Sequence, residues 1–291
     1  MKKYIIFLLC FVAFVSCHSD RKVKTAGKPA ITVTILPQKT FVEKIAGNDF
    51  DVNVLIPPGA NPASYTLLPS QLKEIANSIV WFRIGYIGFE LSWKDKITQV
   101  NKNMKVYDLS EGLDLIADRT VLRDGKEQPE GVDPHIWMSP QLVKKMAKKI
   151  CDVLSELNPG AAEKYRAAYA EFIKEIDQLN VKIKQILQGV EGKTIITFHP
   201  SLTYFARDYG LKQVSLESAG KEPTPQHVKE VMDLAKKENI RVMFIQSEFD
   251  QAQARVFADE TGGKVVQISP LNPDWSQNLL NMAKVIKENT K

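Results

Sequence analysis

Seven residues between Tyr165 and Ile186 (Tyr165, Tyr169, Phe172, Ile176, Leu179, Ile183 and Ile186) recur at intervals of 4, 3, 4, 3, 4 and 3. That spacing puts all of them on one face of a single α-helix. Asn158 can cap its start, Pro159 suits a first helical turn, and Gly189 can end it. A helix of roughly 29 residues in the segment 158–189 would be about 43 Å long at 1.5 Å per residue. Such a strut is long enough to run the height of a two-lobed protein. A free coiled coil is the competing arrangement, but the seam is short and strand–helix alternation flanks it on both sides.

Before the strut, strands are expected over 30–36, 52–56, 78–84 and 105–109, and helices over 41–46, 69–77 and 142–157. After it, strands are expected over 194–198, 212–216, 241–245 and 264–268, and helices over 224–238, 251–261 and 275–289. Strands that alternate with helices indicate parallel sheets. The expected fold is therefore α/β: two lobes, each a small parallel β-sheet flanked by helices, joined by one long rigid α-helix. Both lobes share this rhythm without a visible sequence repeat. The division reads as 1–16 leader, 17–29 tether, 30–157 N-terminal lobe, 158–189 linking helix and 190–291 C-terminal lobe.

The leader has Lys2 and Lys3 ahead of an apolar stretch over 4–15, which is too short to span a bilayer comfortably. It ends in Phe14-Val15-Ser16-Cys17, similar to the lipobox of bacterial lipoproteins, where the cysteine is acylated. Cys17 is thus the expected lipidation site, and the mature chain is expected in the cell envelope, lipid-anchored outside the cytoplasm. Residues 18–28 are polar and aperiodic, as a tether would be. Of three cysteines, Cys10 leaves with the leader and Cys17 carries lipid, so Cys151 has no partner for an internal disulfide. It lies in an amphipathic run and reads as core. The formal net charge of +5 is mild and spread along the chain, which makes no case for nucleic acid.

Histidine is scarce: there are four. His199 directly follows the strand 194–198 and precedes Pro200. In open α/β sheets the carboxyl ends of strands face the ligand crevice. His135 lies in the stiff segment Asp133-Pro134-His135-Ile136-Trp137 of the other half. One imidazole from each half suggests a metal held between lobes. This requires the two imidazoles to lie within about 5 Å, because zinc–nitrogen bonds are only about 2.0–2.1 Å. Two acids at strand ends, Glu217 and Glu248, are candidate additional ligands, though Glu248 could instead face the start of helix 251–261. His227 reads as a surface residue in a first helical turn, and His18 lies in the tether. Asn61-Pro62, Asp133-Pro134 and His199-Pro200 each contain a proline that stiffens its loop.

The chain resembles a known family through a series of segments. They are 54–62 (VLIPPGANP), 133–137 (DPHIW), Phe198-His199-Pro200 with Tyr204-Phe205-Ala206, 259–263 (DETGG) and Pro270-Leu271. In this order, with the long helix and the lipobox, they resemble the zinc- and manganese-binding solute receptors of ABC importers that have a rigid helical backbone. The resemblance implies a metal site with four ligands, two of them carried here by His135 and His199. The other positions depart. Ala63 stands where the family's loop usually supplies histidine, Ser269 where a late acid usually precedes Pro-Leu, and Gln246 at a strand end that usually bears an acid. The histidine-rich loop of many zinc members is also missing from 122–132.

The resemblance implies a receptor that captures Zn²⁺ or Mn²⁺ and delivers it to a membrane ABC permease. It would be a monomer held to the membrane by its lipid, binding no nucleic acid and catalysing no reaction. Because the neutral imidazole is the ligand, acid should weaken binding. Two rivals stand beside this reading. One is a degenerate member that binds another solute or acts as an adhesin. The other is a zinc hydrolase, but the sequence has neither His-Glu-X-X-His nor Gly-X-Ser-X-Gly.

Overall fold

The computed structural model describes residues 27–123, 126–217 and 223–290. The leader, Cys17 and most of the tether lie outside the described residues. Two four-stranded parallel sheets carry the architecture. The first contains β1 (Ala30–Val33), β2 (Asp51–Val54), β3 (Ser78–Arg83) and β4 (Lys105–Asp108), in the order β2-β1-β3-β4. An antiparallel pair follows, β5 (Arg119–Arg123) and β6 (Lys126–Glu130). The second sheet contains β7 (Thr194–Thr197), β8 (Lys212–Ser215), β9 (Val242–Gln246) and β10 (Lys264–Ile268), in the order β10-β9-β7-β8. Read from the same side, the two orders are identical: each lobe begins with an inner strand, steps outward, then returns across it. The shared rhythm of the sequence is thus a shared topology.

The helices are α1 (Leu36–Ala46), α2 (Pro69–Ala76), α3 (Gly88–Val100), α4 (Pro140–Leu157), α5 (Ala162–Leu187), α6 (Thr203–Tyr209), α7 (Pro225–Lys237), α8 (Ala252–Thr261) and α9 (Trp275–Asn289). Several features differ from the sequence reading. The first strand stops at Val33, and α1 already begins at Leu36. Gln38 causes the early turn: its Oε1 accepts from the backbone N–H groups of Thr34 (2.9 Å) and Ile35 (3.0 Å). Helices α3 and α6 and the β5–β6 pair were not expected. Helix α6 is only seven residues long, too short for a 3.6-residue period to declare itself.

The long helix is α5, 26 residues or about 39 Å at 1.5 Å per residue. It is shorter than expected because Pro159–Ala161 form a tighter 3-10 turn before it. Tyr165, Phe172, Ile176, Leu179 and Ile183 are buried as the 4–3 spacing requires, whereas Tyr169 and Ile186 are half-buried at its edge. Helices α1, α4 and α9 pack against it. Phe172, Phe41 of α1 and Trp275 of α9 form one ring cluster, with Phe41 and Trp275 edge-on at 5.2 Å. The last helix of the chain therefore returns to the strut and to the first lobe. Cys151 is buried in α4, and burial pushes its thiol up. Among the described residues, no helix is long and apolar enough to cross a membrane.

Candidate metal centre

In the second sheet the chain leaves β7, passes to β8 on one side, then crosses back to β9 on the other. The switch between β7 and β9 opens a crevice at the carboxyl ends of the strands. His199 stands there, two residues beyond β7. The ladder continues past the strand ends: Leu216 N–H donates to Thr197 O (2.9 Å) and Glu217 N–H to Phe198 O (2.8 Å). That register brings Glu217 beside His199, and its Oε2 lies 2.7 Å from His199 Nδ1.

His135 comes from the first half. Asp133 Oδ1 accepts from the His135 backbone N–H and also lies 2.8 Å from the ring Nδ1. This local turn aims the ring. The segment is pinned from outside as well. Tyr204 of α6 donates to Asp133 O (2.8 Å) and accepts from Ile116 N–H (3.1 Å). The Trp275 indole N–H donates to Trp137 O (2.7 Å), and the Trp137 indole N–H to Pro270 O (3.0 Å). These bonds tie residues 133–137 to the second half of the chain.

The two rings meet with Nε2 facing Nε2 at 3.2 Å. His135 and Glu217 are each 8% exposed and Asp133 3%, whereas His199 is half-buried and lines the cleft. Burial alone would raise the Asp133 carboxyl. The charge and hydrogen bond of the His135 ring, with Thr203 and the backbone, outweigh that and hold it below the ordinary carboxylate value. A metal on Nε2 would supply charge of the same sign as the ring proton. Each ring thus has a carboxylate behind its Nδ1, which fixes a tautomer with Nδ1–H donating and the Nε2 lone pair free. Two lone pairs facing at 3.2 Å repel unless a cation lies between them. Two nitrogens bound to one tetrahedral zinc at 2.0–2.1 Å would be about 3.3 Å apart.

The sequence candidates separate in space. His135, His199 and Glu217 come together, with the Glu217 carboxylate on the Nδ1 side of its ring rather than the Nε2 side. Glu248 lines the same cleft, half-buried, and its Oε1 accepts from the Ser247 hydroxyl (2.8 Å). Ala63 and Gln246 also line it, and Ser269 borders a smaller recess. Gln246 has a supporting part: its Nε2 donates to His199 O (2.7 Å) and to the Ser201 hydroxyl (2.5 Å). His227 is not simply a surface residue. Its ring bonds the Ser215 carbonyl at 2.9 Å, two residues before Glu217. In the sequence Asp133 reads only as part of a stiff segment. Its place two residues before a histidine, with proline between, is the signal for an aspartate turn that could have marked it. Among the described residues, no group of three or more His, Cys, Asp or Glu is placed to share a metal.

Tyr204 offers a test of this frame. Burial, with the Asp133 charge adding to it, pushes its hydroxyl up to about 12. A raised folded value means that the contribution is present below the ordinary tyrosine value of about 10 and lost as pH climbs toward 12. Tyr204→Phe is expected to lower stability by about 1–3 kcal/mol, because it strands the Asp133 carbonyl. It should also flatten the alkaline part of the stability curve. Urea titrations at pH 8 and pH 11 check both.

The zinc-uptake complex component A (ZnuA, periplasmic) family model matches residues 31–290. The zinc-binding lipoprotein AdcA of Streptococcus pneumoniae is 28% identical over 287 residues, 93% of this chain and 56% of AdcA. The chain thus spans about half the length of the curated streptococcal relatives that it matches. A putative metal-binding protein of Chlamydia trachomatis is 26% identical over 280 residues, covering 96% of this chain and 97% of that one. A solved ZnuA deletion mutant with zinc bound is 37% identical at a TM-score of 0.84, covering 90% of this chain and 98% of the other. The matched range takes in both sheets, the strut and the paired imidazoles, and the chain belongs to the ZnuA family of zinc-uptake receptors.

Proposed function

We propose that this chain is an extracytoplasmic receptor that captures one divalent transition metal, zinc before manganese, and hands it to a membrane ABC permease. The family is one of substrate-binding receptors, not of enzymes. The observation that carries the reading is the pair of Nε2 atoms facing at 3.2 Å, each ring backed by a carboxylate. In this reading His135 and His199 bind the metal. Asp133 and Glu217 hold the rings in the binding tautomer, and Glu248 is a carboxylate within the cleft. The zinc names of the streptococcal relatives and the zinc-bound ZnuA structure favour zinc. Because α5 braces both lobes, release comes from local movement of the loops around residues 133–137 and 199–201 when the receptor docks, not from wide hinge closure.

The direct test is metal content. Purified chain titrated with excess zinc should bind one zinc per chain by native mass spectrometry; failure to bind zinc in any soluble form overturns the reading. Glu217→Gln keeps the shape but removes the charge behind His199. Loss of such an orienting partner typically costs 10–100-fold in metal affinity, and calorimetry should find a fall in that range.

Anchoring rests on Phe14-Val15-Ser16-Cys17 and on the lipoprotein name of the pneumococcal relative. Cys17→Ala is expected to move the protein from the membrane to the soluble fraction and to abolish incorporation of labelled fatty acid. An unchanged membrane fraction without label in the parent chain would refute the anchor.

A further inference from the structure

The space in front of the imidazole pair is a cleft of about 510 Å³. A water molecule's share of the liquid is about 30 Å³, so the cleft exceeds what a bare ion needs. It falls within the roughly 300–1,000 Å³ range of small-molecule pockets. Its walls include Tyr86, Leu91, Trp137, Phe249 and Leu271. Leu91 is 61% exposed and Tyr86 39%, so two of the large exposed apolar side chains sit at this one opening. The Phe249 ring stacks on His199 at 5.4 Å, which extends the apolar wall up to the metal-binding face. A bare cation gains nothing from such walls, whereas an organic body buried against them gains about 25 cal/mol per Å² of apolar surface.

Coordination points the same way. Zinc takes four ligands; the imidazole pair supplies two, and among the described residues no third His, Cys, Asp or Glu, Glu248 included, is placed to share a metal with them. Gln246, 3% exposed, lines the cleft, and its Oε1 is a buried acceptor without a hydrogen-bond partner. Asp133 and Glu217 behind the rings already balance the charge of a divalent metal, which disfavours a polyanionic companion.

We propose that the natural cargo is a metal chelate: a divalent metal carrying one small bidentate organic ligand, neutral or singly charged, with an apolar body. The ligand's two donors complete the coordination begun by His135 and His199, and its body rests on Leu91, Phe249 and Leu271. This rests on the receptor reading above and specifies its substrate class.

The test compares zinc alone, zinc premixed with one equivalent of 8-hydroxyquinoline or 2,2′-bipyridine, and zinc citrate as the polyanionic control. Calorimetry gives affinities, and native mass spectrometry gives stoichiometry. The expected result is a 1:1:1 complex of protein, zinc and an apolar chelator, at least tenfold tighter than zinc alone, with no such gain for citrate. Leu91→Asp should shrink the advantage of the chelate over zinc alone at least tenfold. If both apolar chelators merely strip zinc from a chain that binds the bare ion, the chelate inference falls and the receptor reading stands. If zinc binds in none of these forms, both fall.

Discussion

Replacing either His135 or His199 with alanine is expected to lower zinc affinity at least a hundredfold. That corresponds to about 2.8 kcal/mol at 1.4 kcal/mol per factor of ten. The effect is large because each ring supplies one half of the Nε2 pair, and the 3.2 Å separation matters only while both are present. A single imidazole with water in the vacated place is an ordinary weak ligand. The two substitutions should also be strongly non-additive: once one ring is gone, removing the other costs little more. Each variant leaves a buried carboxylate without its ring partner, Asp133 in one case and Glu217 in the other. Some loss of stability is therefore expected, and circular dichroism should accompany the calorimetry to show that the fold persists. Proton competition acts in the same direction, so lowering the pH should weaken zinc binding to the parent chain. Equal affinity in the parent and both single variants would rule out the site.

The frame of the molecule could be read because its signals are periodic. The 4–3 seam of α5 and the apolar strands of β7 and β9 are set by burial of whole faces, which a sequence displays directly. Helix α6 and the early start of α1 could not be read so easily. The first is too short to show a period, and the second depends on one polar side chain, Gln38, folding back onto two backbone N–H groups. The same contrast holds in the site. The strand end marks His199, and the stiff proline segment marks His135. Glu217 reads as an acid after a strand, but which side of the imidazole it faces depends on the register between β7 and β8. No pattern within one strand encodes that register. Gln246 reads in sequence as a lost acid. In space it holds the His199 backbone carbonyl, a role visible only once β9 lies beside β7.

Phe172→Ala is expected to cost about 3–5 kcal/mol of stability, the usual range for truncating a buried phenylalanine. Phe172 is 2% exposed and faces two rings, Phe41 at 6.0 Å and Trp275 at 6.4 Å. Those rings belong to α1 near the start of the fold and α9 at its end, so the cavity would open where the strut meets both. Neither neighbour can collapse freely into the gap. Trp275 is held by its indole bond to Trp137 O, and Phe41 is buried within α1. Against an ordinary total stability of about 5–15 kcal/mol, the loss is a large fraction. Urea denaturation should show a lower midpoint with an unchanged slope; a shift worth less than about 1 kcal/mol would contradict the bracing role of α5. Zinc separates the frame from the site. A ligand that binds only the folded state stabilises it by RT ln(1 + [L]/Kd). The Trp275–Trp137 bond that pins the His135 segment survives the substitution, so Kd should be unchanged. Saturating zinc should therefore add the same increment to the Phe172→Ala variant as to the parent, although the variant starts from a lower baseline.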